Sequence, residues 1–138
     1  MRSRAPLLLM EQMVMLAVFA LAAALCLQAF VKSDGLSRES EARDRAAVVC
    51  QSAAEVIRHG GGDLARAAET LGGQYGQGLL WLDYDEDWAP DPEGVYRLTA
   101  QGMPGEMPGL CLARVAVEGE DGEVLFSINI AWQGEAAA

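Results

Sequence analysis

Residues 7–31 read LLLMEQMVMLAVFALAAALCLQAFV, and the organisation of the whole chain follows from how that run is interpreted. From Gln12 to Val31 there are 20 residues without a formal charge. As an α-helix they extend roughly 30 Å, the thickness of a hydrocarbon core. Arg2 and Arg4 precede the run and Lys32 follows it. The positive excess at the front predicts a cytoplasmic N-terminus and an extracytoplasmic remainder. A cleaved signal peptide is the rival, because small residues cluster at positions 20–24. The apolar run continues past those residues with no polar region before a cut, which favours a retained single-pass membrane helix. Leu25 stands immediately before Cys26, where a lipoprotein site requires a small residue.

Two features of the run bear on association. Ala17, Ala20, Ala23 and Ala24 recur at three- and four-residue intervals, and Ala17, Ala20 and Ala24 are candidates for close helix–helix packing. The plainer account is that Ala is a good helix former. Glu11 is the single charge inside the run. One reading is an interfacial side chain that reaches water at the membrane edge. The other is a carboxylate that meets a positive or polar group of a neighbouring helix in the membrane, where charge is costly and therefore functional.

The stretch LLLMEQMVMLAVFALAAALCLQAF resembles the N-terminal segment of type IV pilins and type II secretion pseudopilins. Proteins of that family carry a short basic leader and are cut before a hydrophobic helix whose fifth residue is Glu. The resemblance places the cut between Pro6 and Leu7 and makes Glu11 the fifth residue. It implies that Glu11 sets subunit register by pairing with the α-amino group of an adjacent subunit. This chain departs from the pattern at Pro6, where the family has Gly. The expected segments are a leader over 1–6, a transmembrane helix over 7–31, an amphipathic helix over 32–59, a head over 60–134 and a frayed tail over 135–138.

Beyond Lys32 the chain carries 8 basic and 19 acidic residues, a net charge of −11. Such a surface does not suit nucleic acid, whose phosphates need Lys and Arg. Leu36, Ala46, Ala47, Val49, Cys50, Ala53, Ala54, Val56 and Ile57 recur mostly at helical spacing and predict an amphipathic helix ending at the glycines from Gly60. A second helix is expected between an Asp63 N-cap and a Gly72–Gly73 stop. The period then changes to two. Strands are expected over Gly78–Asp85, Val95–Ala100, Leu110–Gly119 and Glu123–Trp132, with a hairpin turn at Asp121-Gly122. The fold class is α+β: a long N-terminal helix, half membrane and half amphipathic, packed on a four-stranded antiparallel sheet. The resemblance implies a pilin-like arrangement of these parts.

The linker DYDEDWAPDPEG holds Asp83, Asp85 and Asp87 at alternating positions, a weak calcium candidate beside the plainer reading of a solvated acidic turn. Cys50 and Cys111 lie on the faces expected to meet, so they are candidates for a disulfide or for two buried thiols. Trp81, Trp88 and Trp132 are expected in packing. The only histidine, His59, falls at a helix C-terminus, where a cation is favourable. No phosphate loop, dinucleotide fingerprint, catalytic triad spacing or Cys/His metal motif occurs. These absences argue against an enzyme, and the resemblance implies a structural subunit in the cell membrane, without cofactor or small-molecule substrate. Its partners would be the membrane and other pilin-like subunits or assembly-platform proteins of a pilus or type II secretion-like system. The alternative is a single-pass protein whose acidic head binds an external partner with no filament role.

Overall fold

The computed structural model describes residues 5–105 and 107–134. Most of the leader and all of the tail expected over 135–138 lie outside the described residues. Helix α1 runs from Ala5 to His59. It continues through Gly35, so the membrane and amphipathic stretches form one helix. Pro6 stands in its first turn, where a missing N–H removes no helical hydrogen bond. The chain divides into two compact units between Ser40 and Glu41, and residues 41–59 of α1 group with the strands.

In the second unit α1 buries Ala46, Cys50, Ala53, Ala54 and Ile57. Their spacing is that of one helix face, and they share a core with the sheet. Leu36, expected on that face, is 59% exposed; the packed stripe starts only with the head. The helix stops at the glycine triplet. Gly62 N–H donates to the Ile57 carbonyl at 2.8 Å and Gly61 N–H to that of Arg58 at 3.1 Å. Gly61 and Gly62 have φ of 66° and 84°, the left-handed conformation that ends helices. Any Cβ on Gly62 would also overlap the Trp132 ring. Helix α2 spans Leu64–Leu71. As expected, Asp63 caps it, accepting from the Ala65 and Arg66 N–H groups at 3.1 Å each, and Gly72 ends it at φ 74°.

The sheet has five antiparallel strands in sequential order: β1 (Gln74–Gly76), β2 (Leu79–Tyr84), β3 (Tyr96–Met103), β4 (Leu110–Glu118) and β5 (Val124–Gln133). The expectation of four strands is corrected by β1, which is too short to show alternation. Its turn is Gln77-Gly78, with φ of 52° and 82°, the positive pair that a two-residue hairpin requires. The β4–β5 turn closes at Gly122, whose N–H donates to the Gly119 carbonyl at 3.0 Å. Register pairs Ala113 with Ile130, Val115 with Ile128 and Val117 with Phe126, bringing the two alternating apolar sets onto one face. There they form a single core with Leu80, Leu82, Leu98, Ala100 and the inner face of α1.

Candidate functional site

The first part of α1 is the clearest functional element. None of residues 5–41 is buried in this chain. Leu7, Leu16, Phe19, Leu21 and Phe30 are between 64% and 75% exposed. Large apolar groups around the whole circumference require an apolar surrounding, because each costs about 1.5–3 kcal/mol left in water. The run is long and apolar enough to cross a membrane. Glu11 stands in it with no basic side chain within salt-bridge distance among the described residues.

Helical geometry separates the two association features. At about 100° per residue, Ala17, Ala20 and Ala24 lie within roughly 60° of one another. The centre of that strip is about 150° from Glu11. Glu11 shares its side with Met15, Val18, Ala22 and Ala29 instead. Glu11 and the Ala17, Ala20 and Ala24 strip therefore lie on opposite sides of the helix. The same helix places Leu7 in its first turn, 71% exposed. Beyond Val31 the character changes: Asp34 and Arg38 pair across one turn at 3.3 Å, both well exposed.

Cys50 and Cys111 are both free thiols. Cys50 is fully buried and donates weakly to the Phe126 carbonyl at 3.9 Å, whereas Cys111 pairs in register with Trp132. Six residues of β5 separate those two points, about 20 Å of strand, so a Cys50–Cys111 bridge is not formed. Burial pushes the Cys50 thiol up to about 11. Burial, and then the nearby Cys50, raise the Tyr84 hydroxyl in turn.

Of the weak calcium candidates, Asp83 and Asp85 are engaged by groups of the protein itself. Asp83 is held by Arg97 through two contacts, Nε to Oδ1 at 2.6 Å and Nη2 to Oδ2 at 3.1 Å. That hydrogen bond and charge raise the Arg97 guanidinium further above its ordinary value. Asp85 faces its own loop and accepts from the Asp87 and Ala89 N–H groups at 2.9 and 2.8 Å. Asp91 does the same for Glu93 at 2.9 Å. Among the described residues no three metal-ligating side chains converge. The carboxylates shape the loop instead, by the local hydrogen bonding that favours Asp in turns. Their product is Trp88, held at φ 63° with its ring stacked on Tyr96 at 4.3 Å and 9°. A bulky residue in that conformation is rare, and the stacking offsets its strain. Trp81 and Trp132 are half-buried against glycines, Gly76 and Gly62 respectively. His59 Nδ1 lies 2.9 Å from the Glu55 carbonyl, within the last turn of α1.

His59 also borders an open cleft of about 530 Å³ between α1 and α2, shared with Ser52, Glu55, Arg66 and Thr70. Its mixed charges select no particular ligand. No protein-family model, curated protein or solved structure matches this chain.

Proposed function

We propose that the protein is a pilin-like or pseudopilin-like structural subunit, anchored by the first part of α1 and carrying its acidic head outside the cell membrane. The observation that carries this reading is one uninterrupted helix, Ala5–His59, whose first part has no buried residue and whose last part supplies one side of the head's core. A helix built this way is a membrane anchor and a structural element of the head together. The reading is further supported by Glu11 and the alanine strip on opposite sides. A subunit that offers one face to one neighbour and a different face to the next makes a heterologous contact, which extends into a filament unless the rotation closes. In this mechanism Glu11 meets an amino or polar group of an adjacent subunit, and the alanine strip lets the next helix approach closely.

The test is crosslinking between subunits in native membranes. Glu11→Ala is expected to reach the membrane at normal levels and to lose its subunit crosslinks. Glu11→Ala crosslinking like the parent protein would refute the assembly role. That result would favour the second reading, an acidic head displayed on a single-pass anchor. The second reading rests on the head's excess of acidic residues, and predicts that changes to head surface residues abolish partner capture while Glu11 is replaceable.

A further inference from the structure

We draw no further inference here: the strongest candidate, the exposed outer face of the sheet where register sets Gln101, Arg114 and Asn129 side by side on β3, β4 and β5, carries nothing because nothing in the structure shows what covers it.

Discussion

One helix carries two kinds of surface. Over residues 41–59, α1 turns alanines, a cysteine and one isoleucine toward a sheet, and every one of those groups is buried. Over residues 7–31 it turns leucines, methionines and phenylalanines in all directions, and none is buried. The more hydrophobic part is thus the part in which no described residue is buried. Composition alone would assign it to a core. The difference lies in pattern: an amphipathic stripe requires a protein partner on one side, whereas apolarity all round requires apolar surroundings on every side, as a membrane span or a protein core provides.

Substitutions of the same type in the two parts of α1 test this contrast, and the largest effect is expected from truncation. Ile57→Ala should destabilise the head by about 2–5 kcal/mol, because Ile57 is wholly buried. Leu21→Ala, at a site 64% exposed, should leave the head's urea midpoint unchanged. Equal shifts for the two variants would break the comparison.

The buried thiol gives a pH test. Cys50 titrates near 9 when unfolded and is raised to about 11 in the fold. Between those values the unfolded chain has released a proton that the native chain retains, so stability falls as pH rises. The stabilisation is complete below pH 9, and roughly 2–3 kcal/mol of it should disappear by pH 11. Cys50→Ala should flatten this part of the profile in unfolding curves collected from pH 8 to 11. An unchanged slope would show that another group carries it.

Overpacking separates the two parts of the helix again. Ala53→Leu should cost the head about 1–3 kcal/mol, since Ala53 is fully buried against the sheet. Ala20→Leu should not alter head stability but should weaken crosslinking between membrane helices. Smallest is the cap: Asp63→Ala should cost about 1 kcal/mol by freeing the Ala65 and Arg66 N–H groups, and Asp63→Asn should restore most of it. Thermal melts of the three proteins read both changes.

Much of this architecture was legible from residue spacing. The two helices, the glycine stops, the Asp63 cap and four strands follow from periods of 3.6 and 2 with turn residues between them. β1 was not, because three residues cannot display a period and only the Gln77-Gly78 turn marks it. Leu36 fits the amphipathic pattern and yet lies outside the head, because periodicity reveals a face but not where its partner begins. Cys50 and Cys111 do occupy facing surfaces of helix and sheet. What the sequence did not show is their displacement along the strands, which register decides. In the acidic linker the alternating Asp residues were visible, but their targets are backbone N–H groups and Arg97. The position of β5 at the edge of the sheet likewise depends on strand order, which alternation within a strand does not determine.

The central claim is that the apolar part of α1 remains on the protein and holds it in the membrane. It is tested most directly by the mass and N-terminal residue of the protein recovered from native membranes after carbonate washing. The account predicts a membrane-retained chain that keeps residues 7–31 intact, and a first residue at Leu7 would assign Glu11 the fifth position of a processed subunit. A soluble chain beginning near Ala24 or beyond would contradict it, since the apolar run would then have been a discarded signal and Glu11 would be absent from the working protein.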